Sequence, residues 1–96
     1  MAPVYKLKIP DETADLIKKL HPVLKTRVKA ALKSIVRDPH SGKALRDELK
    51  GLRSFRVRRF RLIYRIPSKT IIEIIAIGPR RNIYEETYRL VSKDRS

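Results

Sequence analysis

The 96-residue chain has no cysteine, no tryptophan, one methionine, three glycines, two histidines and ten acidic residues. Without cysteine there is no disulfide framework, no thiolate metal site and no thiol nucleophile, and a reducing cytoplasm is the expected setting. The longest uncharged apolar stretch, Ile74 to Pro79, is far shorter than the roughly 20 residues of a membrane-spanning helix. The opening Met-Ala-Pro-Val-Tyr-Lys lacks the apolar core of a secretory signal, so the chain is read as beginning at its mature terminus. No metal, cofactor or membrane partner is expected. What the chain does have is charge. Lys and Arg number 24, the formal net charge is +14, and 42% of residues are nonetheless hydrophobic. Such a chain can bury a core, which excludes a disordered basic tail, and its length predicts one domain over residues 1–96. The cation excess calls for a polyanion or an acidic protein as partner.

The charge changes in kind along the chain. Up to Leu49 there are 11 basic residues, eight of them Lys, against six acidic ones; from Lys50 there are 13, ten of them Arg, against four. Lysine is a flexible point charge suited to a solvated surface, whereas the planar guanidinium fork matches phosphate oxygens in pairs. The second half therefore reads as the phosphate-binding half.

Periodicity predicts the elements. Tyr5, Leu7 and Ile9 alternate with Lys6 and Lys8, the pattern of a half-buried strand over 4–9. Asp11 is placed to cap a helix over 12–20, with Lys18 and Lys19 at its end as the helix dipole favours. A second helix over 22–37 lines up Leu24, Val28, Ala31, Leu32, Ile35 and Val36 on one stripe and Lys25, Lys29 and Lys33 on another, ending at Asp38-Pro39. Residues 39–51 read as a connection with one helical turn over 44–49. Beyond it Phe55 and Val57 alternate with Arg56 and Arg58, then Phe60, Leu62, Tyr64 and Ile66 with Arg59, Arg61, Ile63 and Arg65. The phase change between Arg58 and Arg59 predicts a tight hairpin, although Arg-Arg replaces the usual Gly or Asn. A turn at Pro67-Ser68-Lys69, an Ile-rich strand over 70–77 stopped by Gly78-Pro79, and a short helix over 84–91 complete the chain. Helices and strands are segregated, which predicts an α+β fold: a four-stranded, largely antiparallel sheet with helices on one face. The other face is then basic and concave, since successive strand side chains point to opposite sides. From Lys50 through Arg65 there are seven basic residues and no acidic one.

Leu49-Lys50-Gly51-Leu52, Phe55-Arg56-Val57, Phe60-Arg61-Leu62-Ile63-Tyr64-Arg65, Ile77-Gly78-Pro79-Arg80 and Tyr84, in this order and spacing, resemble the RelE/ParE superfamily of small toxins from type II toxin–antitoxin modules. The resemblance covers nearly the whole chain and is closer to the RelE branch, whose members cut messenger RNA in the ribosomal A site, than to the ParE branch, whose members inhibit DNA gyrase. It implies a RelE-like fold and a metal-independent endoribonuclease, an mRNA interferase that inhibits translation. It also implies a cognate acidic antitoxin and contacts to messenger and ribosomal RNA. Position by position it implies catalytic roles for Arg56, Arg61, Arg80 and Tyr84, and it matches Arg58 to a second basic position on the same strand. The remaining cations of the basic face and its rim, Lys50, Arg53, Arg59, Arg65 and Arg81, are read with Arg58 as RNA-binding from the charge pattern itself.

The chemistry is consistent with these residue types. Metal-free RNA cleavage by the neighbouring 2′-hydroxyl passes through a phosphorane-like state whose extra negative charge guanidinium groups can stabilise. A base and an acid are also required. His21 and His40 lie outside the arginine-rich half and read as structural or solvent-exposed. Tyr84 fits a base if surrounding cations favour its phenolate, and equally fits a stacking platform for a nucleobase. Glu73 and Glu85 are alternative bases, while Tyr64 and Tyr88 read as packing residues. Two other functions stay open: a gyrase-directed protein inhibitor, and an RNA-binding protein without catalysis.

Overall fold

The computed structural model describes residues 4–94. In chain order the elements are β1 (Lys6–Lys8), α1 (Asp11–Lys18), α2 (Pro22–Arg37), β2 (Lys43–Ala44), β3 (Leu52–Val57), β4 (Phe60–Ser68), β5 (Ile71–Pro79) and α3 (Ile83–Asp94), with 3-10 turns at Pro39–Ser41 and Asp47–Leu49. The strands form one sheet in the order β1-β5-β4-β3-β2. β1 runs parallel to β5, and the other pairs are antiparallel. The sheet therefore has five strands where the periodicity predicts four. The additional one, β2, is two residues long, too short for any alternation to show, and it lies where a helical turn is expected; the turn itself is confined to Asp47–Leu49.

The α1–α2 hairpin packs on one face. Ile17, Val28, Ala31 and Ile35 meet Val57, Leu62, Tyr64, Ile72, Ile74 and Ile77, with Leu24, Leu32, Val36, Phe55 and Phe60 around them. The apolar stripe of α2 is the predicted one, and its boundaries match. Pro22 occupies the first turn, where a missing N–H costs nothing, and His21 caps it by accepting from the Val23 N–H. Asp11 opens α1 but makes no cap; the N-cap residue is Pro10.

Tyr64, fully buried, fastens the 39–42 connection to the sheet. Its hydroxyl donates to the Pro39 carbonyl at 2.6 Å and accepts from the Gly42 N–H at 3.0 Å. A Cβ on Gly42 would lie 2.5 Å from that hydroxyl, so glycine is required there by the close approach of the ring.

The opposite face is not left open. On it Leu52, Ile63, Ala76 and Ile83 form a second apolar cluster, joined by Leu45, Leu49, Ile75, Tyr84 and Val91. α3 thus packs on part of the face predicted to be basic and open. Ile63, in the middle of the arginine alternation, is the residue that draws it there, and exposing Ile63 together with Ile75 would forfeit the burial energy of two large aliphatic side chains. Ile83 and Thr87, four apart on α3, are both fully buried beneath it, and Gly78 gives the helix room, since a Cβ there would stand 3.1 Å from Ile83 Cδ1.

Candidate functional site

What α3 leaves uncovered is the end of the sheet around the β3–β4 hairpin. Val57 pairs with Phe60, so Arg58 and Arg59 form a two-residue loop. Only Arg58 has a positive φ, 54°, the sign pattern of a type II′ turn, whose first position normally holds glycine. Behind the loop, Arg56 and Arg61 are directly opposite each other across the ladder. Facing cations destabilise a sheet, and the ion pairs among the described residues, Arg65–Glu73 and Arg89–Glu85, neutralise neither. Arg61 is half-buried, and its other cross-strand neighbour is Gly78, which has no side chain to shield it.

β5 delivers the next two guanidinium groups. The Arg80 N–H donates to the Arg59 carbonyl at 2.8 Å, tying the end of β5 to the hairpin loop. A cleft of about 440 Å³ results, walled by Arg56, Arg58 and Arg59 on one side and by Arg80, Arg81 and Asn82 on the other. Tyr84 stands at the start of α3, half-buried, with its hydroxyl 3.2 Å from Ser54 Oγ. Ser54 is two residues before Arg56 and on the same side of β3, so the phenol lies on the same face of the sheet as the arginine pair.

The structure therefore brings together Arg56, Arg58, Arg59, Arg61, Arg80, Arg81 and Tyr84. Three other sequence-predicted residues stand apart. Lys50 is exposed in the turn before β3. Arg53 points to the face of the helical hairpin, where it donates to the carbonyls of Gly42 at 2.7 Å and His40 at 3.2 Å. Arg65 is four residues along β4 from Arg61, about 13 Å away at strand rise, and its Nε donates to Glu73 Oε1 at 2.5 Å. That contact occupies Glu73 as well. His40 is exposed in the connection, but His21 is not remote: it lines a cavity together with Arg56, Arg58 and Arg59. Nothing in the spacing of the sequence signals this approach, which depends on how the helical hairpin sits across the sheet. Among the described residues no cluster of His, Asp or Glu could hold a metal ion, and no helix is long and apolar enough to cross a membrane.

A sequence profile of ParE-like toxins of type II bacterial toxin–antitoxin systems matches residues 7–88. The chain belongs to this toxin family. The toxin–antitoxin complex RelBE2 from Mycobacterium tuberculosis contains a chain 32% identical to it, with a TM-score of 0.68 over 79% of this toxin and 98% of that chain. A mutant of the Escherichia coli toxin RelE in the free state superposes with a TM-score of 0.72 at 21% identity, over 95% of this toxin and 97% of that chain. The YoeB–YefM complex from Staphylococcus aureus gives a TM-score of 0.63 at 19% identity, over 77% and 94%. At these lower identities the likeness is one of fold. No curated protein matches the toxin in sequence. The toxin thus has the RelE-like fold that its sequence resembles.

Proposed function

We propose that this toxin is a ribosome-dependent endoribonuclease that cleaves messenger RNA through the 2′-hydroxyl, inhibits translation in the cytoplasm and is silenced by a cognate acidic antitoxin. The observation carrying the reading is the Arg56–Arg61 pair, facing across the ladder with no acidic partner among the described residues, beside the Arg80–Arg81 rim and on the same face as the Tyr84 phenol. In the proposed step the 2′-oxygen forms a bond to phosphorus while the bond from phosphorus to the 5′-oxygen breaks and that oxygen takes a proton from solvent water, leaving a 2′,3′-cyclic phosphate and a 5′-hydroxyl. Arg61 and Arg80 stabilise the charge that builds on the non-bridging oxygens, and Arg56 holds the phosphate. Tyr84, on the same face as the pair, takes the 2′-hydroxyl proton or stacks on the adjoining base. Arg58, Arg59 and Arg81 hold flanking phosphates. Arg53 and Arg65 are engaged elsewhere and Lys50 is distant, so none of them enters the step.

The cleft between the hairpin and the Arg80–Arg81 rim has no histidine among its lining residues, so it is weakly equipped for proton transfer and suits a substrate held in place by a larger scaffold. The Lys25, Lys29 and Lys33 stripe of α2 would meet ribosomal RNA phosphates, contacts that position without reading sequence. The test compares purified toxin on naked and ribosome-bound message. Cleavage only on ribosomes is expected, with a loss of about 100- to 1,000-fold for Arg61→Ala or Arg80→Ala, as for removal of one oxyanion donor. Equal cleavage of both substrates would sink the proposal. The family also bears the name of gyrase-directed toxins, and inhibition of DNA supercoiling by the purified protein without cleaved message would assign it that function instead.

A further inference from the structure

We propose that the toxin holds a second, unpaired nucleotide on the other side of the β3–β4 hairpin, in a cleft between the hairpin and the start of α2; the inference rests on RNA being the substrate. The hairpin arginines wall two clefts. Arg56, Arg58 and Arg59 line a cleft with Arg80 and Arg81, and they also line a larger hollow of about 740 Å³ together with His21, Val23, Leu24 and Phe60. The two hollows are thus adjacent subsites with a common cationic wall, the arrangement that neighbouring nucleotides of one strand require.

The second cleft matches the two halves of a nucleotide. Val23 is 53% exposed, an apolar side chain left in water beside a half-buried phenylalanine and three cations, and together they offer a shelf for a base and a wall for its phosphate. His21 Nδ1 accepts from the Val23 N–H at 3.3 Å, so the neutral ring carries its proton on Nε2, which remains free to donate at the edge of the cleft. The backbone supplies an independent observation. Arg58 holds a left-handed conformation at φ 54°, one that glycine adopts without strain, and retaining arginine there keeps a guanidinium at the junction of the two hollows. Strain kept at a site where a simpler residue would relieve it points to use of the side chain.

The test uses fluorescein-labelled hexauridylate, fully 2′-O-methylated so that it cannot be cleaved by 2′-hydroxyl attack, and the same backbone without bases. Anisotropy gives the ratio of the two affinities for the full chain. Val23→Glu adds an acidic residue to the first turn of a helix, where the dipole tolerates it, and places a carboxylate on the shelf. Leu90→Glu, at a residue 46% exposed on α3, controls for the charge. The expected result is a fall of about five- to tenfold in the intact-to-abasic ratio for Val23→Glu, the low end of what a stacked base contributes, with Leu90→Glu keeping the wild-type ratio. An unchanged ratio in Val23→Glu, including an equal loss for both RNAs, would overturn the inference, because the hollow would then be acting on phosphate alone. So would a wild-type ratio accompanied by loss of binding to a labelled Glu-Leu repeat peptide, which would assign the cleft to an acidic protein. Since these RNAs are not cleaved, the outcome is independent of the ribosome assay: absent cleavage with the ratio effect intact removes the nuclease reading and leaves the subsite, and the converse removes only the subsite.

Discussion

Replacing Tyr64 with phenylalanine removes one oxygen from the interior and leaves two backbone groups unpaired. The hydroxyl both donates to the Pro39 carbonyl and accepts from the Gly42 N–H, and Pro39, Gly42 and Tyr64 are all buried. An unsatisfied buried polar group costs about 1–3 kcal/mol, and a carbonyl tolerates this better than an N–H, so the pair together should cost about 2–4 kcal/mol. For a domain of this size each kcal/mol moves the midpoint by roughly 4–8 °C, which puts Tyr64→Phe at least about 8 °C below wild type in a thermal melt followed by circular dichroism. Gly42→Ala attacks the same contact from the other side. Gly42 sits at φ −73° and ψ 151°, a backbone any residue adopts, so its substitution is opposed by the Tyr64 ring alone, with the hydroxyl 2.5 Å and Cε1 2.8 Å from the added carbon. Removing the hydroxyl relieves the nearest of these clashes, and the double variant should be destabilised by less than the two singles combined. A Tyr64→Phe protein melting within about 2 °C of wild type, or strict additivity in the cycle, would refute the assignment of Tyr64 as the fastener of this connection.

The same hydroxyl predicts alkaline sensitivity. Burial raises its pKa above 10, with the Gly42 hydrogen bond and Arg53 opposing part of that shift. The unfolded chain therefore releases a proton that the native chain still holds, and stability present below about pH 10 is lost as pH rises beyond it. The difference in urea midpoint between about pH 9 and about pH 11 should be larger for wild type than for Tyr64→Phe, and equal differences would contradict the linkage. Arg58→Gly should melt no lower than wild type, since a left-handed non-glycine residue costs about 1–2 kcal/mol that glycine avoids, while its affinity for single-stranded RNA falls. A lower melting point would mean that the arginine stabilises the hairpin rather than straining it.

Much of this architecture was legible in the sequence because burial imposes a period. The six apolar positions of α2 recur at three- and four-residue steps, and Pro22 and Asp38-Pro39 punctuate them, so its limits could be read off. The phase change at Arg58–Arg59 located the hairpin although its chemistry is wrong for a turn, since alternation on both sides leaves no other place to reverse. Elements that depend on distant partners were not legible. β2 exists only because Lys43 and Ala44 pair with Ser54 and Arg53. α3 crosses the second face because Ile63 and Ala76, on different strands, form an apolar patch that neither strand displays alone. The Arg56–Arg61 pairing followed from the hairpin register, whereas the arrival of His21 beside it required the packing of α2 on the sheet.

The parallel pairing of β1 with β5 also bears on how the toxin comes into being. Lys6 pairs with Ile71, so the first strand waits for a partner made 65 residues later. At about 5–20 residues/s of synthesis the wait is roughly 3–13 s. Over that interval the helical hairpin is available but the sheet it covers is not, and Leu7 and Ile9 have no β5 to pack against. The Arg80–Arg59 hydrogen bond likewise forms only after β5 is complete. A chain terminated before Ile71 would carry most of the arginines of the site without the strand that assembles them, so the arginine cleft is a product of the last quarter of the chain and should be absent from every shorter fragment.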